Sequence, residues 1–337
     1  MDSVTHIFLG SALAMAAAGR RLGYRRAFVI GALAATFPDF DCFLHTGDEM
    51  RDLALHRHFM HSLIIVPLLA ALSVLPFMLH KRSRPLWKPL YLAALIACVS
   101  HTLLDTLTSY GTMIFWPFTP HRYALDIIPV VDPLYTLPLI AGVIFAWKRK
   151  SPRIALAALL ISSAYLGFAT WQHARAAAAQ QRLLAARGTT AENPRVLPQV
   201  GAVVAYRSIY IADGKIQADA LRVPFIGRAT FKAGGAVPVI TPGGLDAPLS
   251  ANALVALQSF HDLADGFLAR SPKDPLLIAD ERYTYVPEGM ESVWGIQVEQ
   301  IDTPRFRITP RWNYFGKLAG DLFCPQGYAA VPPRLAQ

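Results

Sequence analysis

Charge is what this chain has least of. Only 16% of its 337 residues are Asp, Glu, Lys or Arg against 53% hydrophobic, and the mean hydropathy is +0.33. Those values exclude an ordinary soluble protein. Acidic residues are scarcer still, with nine in the first 175 positions. Cysteine is nearly absent: Cys42, Cys98 and Cys324 show no paired spacing, which excludes a zinc ribbon or a CxxC redox motif. Cys98 falls in an apolar run and reads as a small packing residue, whereas Cys42 and Cys324 share the outer side, where a bridge between them is permitted. The usual basic n-region is missing too, and no A-x-A-like cleavage site stands out, so the first apolar run reads as a retained segment rather than a cleaved signal peptide.

What is present, up to about residue 175, is a series of long apolar runs. Six candidate spans lie at about 3–19, 26–44, 61–79, 86–104, 133–147 and 154–172, each near the roughly 20 residues a bilayer core requires. Arg20, Arg21, Arg25 and Arg26, then Lys81, Arg82, Arg84 and Lys88, then Lys148, Arg149, Lys150 and Arg153 occupy alternate loops. The remaining loops carry only Arg51, Arg57 and Arg122. Basic residues are retained inside, which predicts a multi-pass inner-membrane protein with its N-terminus and C-terminal part on the outer, periplasmic side. Topology then accounts for the net charge of +9 without nucleic-acid binding.

After residue 175 the pattern changes to alternating polar and apolar residues with turns. Residues 173–189 favour helix and extend the sixth span as a stalk that stops at Gly188. VGAVVAYRSIYIADGKIQADALRVPF reads as a hairpin about Asp213-Gly214; RATFKAGGAVPVI and SVWGIQVEQI read as strands; SANALVALQSFHDLADGFLAR has helical spacing. His261 stands alone there and reads as a surface or satisfied histidine. The expected fold is therefore mainly α: a polytopic helical membrane domain of about six spans over residues 1–175, then a small α+β extramembrane domain over 176–337.

The rare acidic groups all fall at one end of the spans, where histidines also gather. His101 and Asp105 in HTLLD share one helical face. Asp39 and Asp41 follow a proline in FPDFD; His56 and His61 flank the start of span three in HRHFMH; His6 stands near the start of span one. Ionisable groups at membrane level are costly and mark function. Imidazole and carboxylate together suit zinc, with manganese or iron next, and these seven residues are enough for one or two divalent ions. Asp126 and Asp132 fit either as acceptors behind the ligands or as partners of Arg122. Thr108 and Ser109 read as caps at the end of span four. His58, and His45, Asp48, Glu49 and Asp52 in the loop, fall outside the set.

The motifs MDSVTH, FPDFD, HRHFMHS, HTLLDTLTSYGT and RYALDIIPVVDPLYTLP, in that order over about residues 1–145, resemble the YdjM-type membrane-bound, metal-dependent hydrolases. NPRVLPQVGAVVAY and YTYVPEGMESVWGI resemble an extension that some members carry. The resemblance implies a hydrolase whose metal ligands are His6, Asp39 or Asp41, His56 or His61, His101 and Asp105. The order His, Asp, His, HxxxD is also similar to that of zinc-dependent phospholipase C, a soluble enzyme with further ligands.

These residues lead to a metal-dependent hydrolase in which metal-activated water attacks an ester or phosphoester, with His56 and Asp41 as proton carriers. A site at headgroup level implies a lipid or lipid-linked substrate. Two alternatives use the same residues: a transporter, which would place polar groups deeper in the spans, and a scaffold held together by metal.

Overall fold

The computed structural model describes residues 1–44, 46, 49–244, 251–297, 305–308 and 329–330. The chain divides into two compact units: residues 1–44 with 55–169, and residues 170–337 with 45–54. Cys324 lies outside the described residues, as do His45 and Asp48.

The first unit is helical. Asp2 caps α1 (Ser3–Leu22) by accepting from the Thr5 amide at 3.0 Å, and the basic pair Arg20 and Arg21 closes its last turn. After Gly23, α2 (Tyr24–Thr36) folds back along α1. Glycine makes that close approach possible. A Cβ on Gly10 would sit 2.5 Å from the Gly31 carbonyl oxygen, and one on Gly31 would sit 2.4 Å from the Gly10 carbonyl oxygen. Pro38 then forces a break, and residues Pro38–Phe43 form a short 3-10 turn. Next in this unit come a 3-10 turn at Phe59–His61, α4 (Val66–Met78), α5 (Trp87–Thr106), α6 (Pro133–Arg149) and the first part of α7 (Pro152–Arg187), whereas α3 (Glu49–Leu55) belongs up to Ala54 to the second unit. The segment after α5 is pinned back onto the site region: Met113 N donates to the Arg57 carbonyl and Leu63 N to the Ile114 carbonyl, both at 3.0 Å.

Six membrane spans are not supported. Among the described residues, two helical segments, Arg84–Thr106 and Pro152–Arg187, are long and apolar enough to cross a bilayer, or three if Met50–His61 and Val66–Met78, bent by 87°, count as one broken span. The other apolar runs do form helices, but α2 stops at Thr36 because of Pro38, and at about 1.5 Å per residue it falls short of a core about 30 Å thick. In the same way α4 has only 13 residues and α6 only 17.

The second unit is a small β-sheet domain. β1 (Glu192–Gln199), β2 (Ala202–Ala212), β3 (Lys215–Arg222) and β4 (Thr230–Pro238) form an antiparallel sheet joined at its edge by β9 (Ala329–Ala330). β2 and β3 meet at the Asp213-Gly214 turn, where both residues have positive φ, 50° and 69°. Beyond α8 (Ala251–Leu263), a second sheet has the order β5 (Leu268–Arg270), β6 (Leu277–Asp280), β7 (Trp294–Gln297), β8 (Arg305–Ile308). The helix that ends at Arg187 is no free stalk. Ala176, Ala179 and Leu183 make a flat apolar face that is buried with Val196, Tyr206, Leu221 and Val223, and Arg187 holds Asp219 through two bonds of 2.7 and 2.9 Å. The helical reading of SANALVALQSFHDLADGFLAR holds to Leu263, after which Leu268–Arg270 is a strand.

Candidate metal centre

Four side chains from three elements meet in the first unit. The 3-10 turn after Pro38 supplies Asp39, the 3-10 turn before α4 supplies His61, and one face of α5 supplies His101 and Asp105. One donor atom from each lies within 4.8 Å of all the others. His61 Nε2 and His101 Nε2 are 3.0 Å apart; Asp39 Oδ1 is 3.4 Å from both, and Asp105 Oδ2 is 3.4 and 3.5 Å from them. His61, His101 and Asp105 are fully buried.

The other ring nitrogens explain how the two imidazoles face each other. His101 Nδ1 donates to the Ala35 carbonyl oxygen at 2.5 Å, and His61 Nδ1 lies 3.2 Å from Asp41 Oδ2. With the His101 proton held at Nδ1, its Nε2 lone pair faces His61 Nε2 beside two carboxylate oxygens, while His61 Nδ1 is turned toward Asp41. Such an arrangement needs a positive centre among the four donors, either a proton shared by the two rings or a metal ion. Two imidazoles and two carboxylates are also the donor set that a divalent transition ion takes. The cluster could therefore hold a metal ion.

A family model described as YdjM inner membrane protein matches residues 1–176, and all seven candidate residues fall within that match. The chain belongs to the YdjM family. Uncharacterized protein YfhP of Bacillus subtilis (strain 168) is 30% identical over 174 residues, covering 48% of this chain and 51% of that relative. The chain thus spans about half the length of the curated relative it matches. No solved structure matches.

Within this YdjM chain the three remaining candidates, His6, Asp41 and His56, surround the four rather than join them. His6 stacks on His101 with ring centroids 3.7 Å apart, and its Nε2 is 3.1 Å from Asp105 Oδ1. Its Nδ1 is buried with no hydrogen-bond partner among the described residues. Asp41 works behind the cluster. One oxygen takes the His56 ring at 2.9 Å; the other takes the Arg57 amide at 2.9 Å and faces His61. Burial opposes ionisation of Asp41, but hydrogen bonds from His56 and His61 outweigh it and lower its carboxyl to about 2. At Asp39 burial is likewise outweighed by hydrogen bonds from His101 and His61, so its carboxyl also stays ionised. His56 is 30% exposed and joins this buried network to the outside.

Sequence reasoning missed Arg57, which it had counted only as a loop charge. Its guanidinium reaches Asp105 Oδ2 at 3.1 Å and Thr108 Oγ1 at 2.9 Å and lies over the Tyr110 ring at 4.9 Å. Its backbone is left-handed, φ 56°, an unfavourable state for a non-glycine residue, held here by the amide bond to Asp41 and the carbonyl bond to Met113. A basic residue set between two histidines was the available signal. Thr108 does cap α5, donating to the Asp105 carbonyl at 2.8 Å, and accepts from Arg57 as well. The Met1 ammonium also reaches Asp105.

Two expectations change. Asp132 neither supports a ligand nor pairs with Arg122: it caps α6 through the Leu134 and Tyr135 amides and accepts from the Tyr165 hydroxyl. Arg122 donates to the His56 and Gly111 carbonyls. His58, outside the set from the start, packs on Trp116.

Proposed function

We propose that this chain is a membrane-bound, metal-dependent hydrolase, with one divalent ion, zinc first among candidates, held by Asp39, His61, His101 and Asp105. The observation that carries the proposal is the pair of buried Nε2 atoms 3.0 Å apart between two carboxylates, with both Nδ1 positions turned outward. When bound, such an ion supplies a Lewis acid that acidifies water near neutral pH.

The chain's own groups have distinct duties. Ala35 and Asp41 fix the tautomers of His101 and His61, the role that outer partners play for metal-binding imidazoles. His56, partly exposed and bonded to Asp41, carries a proton between solvent and the departing alcohol oxygen. In balance, the oxygen of water bonds to the acyl or phosphoryl centre, the bond to the alcohol oxygen breaks, and the alcohol leaves with a proton. Arg57 favours a phosphoester over a neutral ester, because its planar guanidinium beside the cluster matches a phosphoryl group. A lipid or lipid-linked substrate is supported by exposed apolar side chains near the ligands: Phe40 and Phe43 in the turn that carries Asp39, and Phe115 and Phe118 in the segment bonded to Arg57. We place this face on the periplasmic side because, along the Arg84–Thr106 segment, His101 and Asp105 stand at the end opposite Arg84 and Lys88, and basic residues mark the inner side.

The test is elemental analysis of protein purified in mild detergent without chelator, beside His61→Ala and His101→Ala, followed by a screen of lipid phosphoesters. About one equivalent of metal in the parent, lost in both variants, together with turnover that His56→Ala impairs, is the expected result. A parent free of metal, or variants that retain it, would sink the metal assignment. Metal without turnover of any ester would favour the scaffold.

A further inference from the structure

A second feature lies in the other unit and is independent of the metal centre. The connection between β3 and β4 exposes two large apolar side chains side by side: Phe225 is 57% and Ile226 92% exposed. Water-facing loop tips favour small or polar residues. The connection is also held, which separates it from a loose loop. Gln172 on α7 donates to the Val223 carbonyl at 3.1 Å, and Arg175, one turn further, donates to the Pro224 carbonyl at 2.8 Å and reaches those of Phe225 and Gly227 at 3.5 Å. Pro224 fixes one side of the tip, and Gly227, with φ 102°, supplies the reversal on the other.

The place on α7 to which the loop is tied decides what would cover it. Residues 154–171 of that helix carry no charged side chain, and they form the apolar stretch of the helix that is long enough to cross a bilayer. The stretch ends at Trp171, half exposed, and the Arg175 guanidinium lies 4.7 Å over its ring. Tryptophan belongs at the boundary of hydrocarbon and headgroups, and arginine can extend along apolar surface while its charge stays wet. The loop is therefore clamped to the helix at the depth where a span leaves the membrane, and the exposed Arg228 adds a cation beside the apolar tip.

We propose that residues 224–228 form a membrane-dipping loop, with Phe225 and Ile226 inserted among the headgroups and upper acyl chains of the leaflet that α7 leaves and Arg228 at lipid phosphate. The loop makes a second point of attachment beside the helix and fixes how the β-sheet domain stands on the bilayer. Amphipathic surface elements with an apolar face and basic flanks bind membranes in this way.

Depth measured by electron paramagnetic resonance tests this in the full chain. A spin label is placed at Ile226→Cys in a Cys42→Ser, Cys324→Ser background and the protein is returned to phosphatidylethanolamine and phosphatidylglycerol vesicles. A label at Lys215→Cys serves as reference, being exposed and lying roughly 23 Å away at the far end of β3. The expected result is a label at 226 relaxed by oxygen and shielded from a water-soluble nickel chelate, with the reverse at 215. Nickel access at 226 equal to that at 215 would put the loop in water and overturn the proposal. Shielding from both reagents would overturn it as well, since protein rather than lipid would then cover the tip. Phe225→Cys gives a second depth on the same loop, so a poorly behaved label at 226 does not leave the matter open.

Discussion

The two units bury ionisable groups in opposite ways. In the helical unit, His61, His101, Asp39 and Asp105 turn their donor atoms toward one another around a single point. In the β-sheet unit the buried charges are closed off. Asp280 takes Arg282 through several contacts, the shortest 2.7 Å, and Arg207 donates to the carbonyls of Glu281, Pro287 and Gly289. Glu281 has no hydrogen-bond partner for its carboxyl among the described residues; burial raises it to about 8, above the opposing pull of Arg207, so it keeps its proton near neutral pH. Burial raises the cost of charge in both places. Among the described residues, the first unit is where donor atoms converge so that a cation could bind, which is why buried charge by itself does not mark a site and convergence of donors does.

The contrast can be broken most sharply at the centre. Asp105→Ala should abolish metal binding, as read by elemental analysis, and leave protease resistance of the β-sheet unit unchanged. If metal stays bound, the lone-pair account of the centre is wrong.

Glu281 tests the opposite unit. Its folded carboxyl is raised from 4.5 to about 8, so the native state holds a proton that the unfolded chain releases. The resulting stability is complete below about pH 4.5, falls as pH rises, and is gone above about pH 8. Pulse proteolysis of the full chain, with cleavage mapped to residues 268–297, should show a loss on the order of a few kcal/mol over that range. Glu281→Gln should flatten the profile, and a slope unchanged by that substitution would assign it to other groups.

Smaller effects separate the supporting residues from the four donors. Asp41→Asn keeps the shape but weakens the hold on His61, which predicts a loss of metal affinity of about 10–100-fold by competition with a chelating dye. His56→Ala should leave metal content and affinity within error while any hydrolytic rate falls. A fall in affinity equal to that of Asp41→Asn would instead make His56 part of the metal-holding set.

Much of the site was legible. HTLLD shares a face because helical spacing puts residues four apart together, and FPDFD signals a helix end because proline cannot continue a helix. Spacing does not say which of Asp39 and Asp41 enters the cluster. Positions two apart in a 3-10 helix of about three residues per turn point in different directions, and here Asp39 turns to His61 and His101 while Asp41 turns to His56 and Arg57. Arg57 was illegible in its role because a left-handed backbone and a contact 48 positions away in sequence leave no local trace. The span count failed for a related reason: apolar composition records burial without saying whether protein or lipid does the burying.

The sequence by itself determined the hydrophobic helical character of the first half, the β-rich second half with its Asp213-Gly214 turn, and the family. Each follows from local chemistry: period, turn residues and ordered motifs. Tertiary structure decided which donors converge, which partners hold their tautomers, that α7 packs on a sheet, and that an apolar loop is fastened at the level of Trp171. Those depend on which distant surfaces meet, and the Gly10–Gly31 crossing that packs α1 against α2 is a contact between helices that neither segment specifies alone.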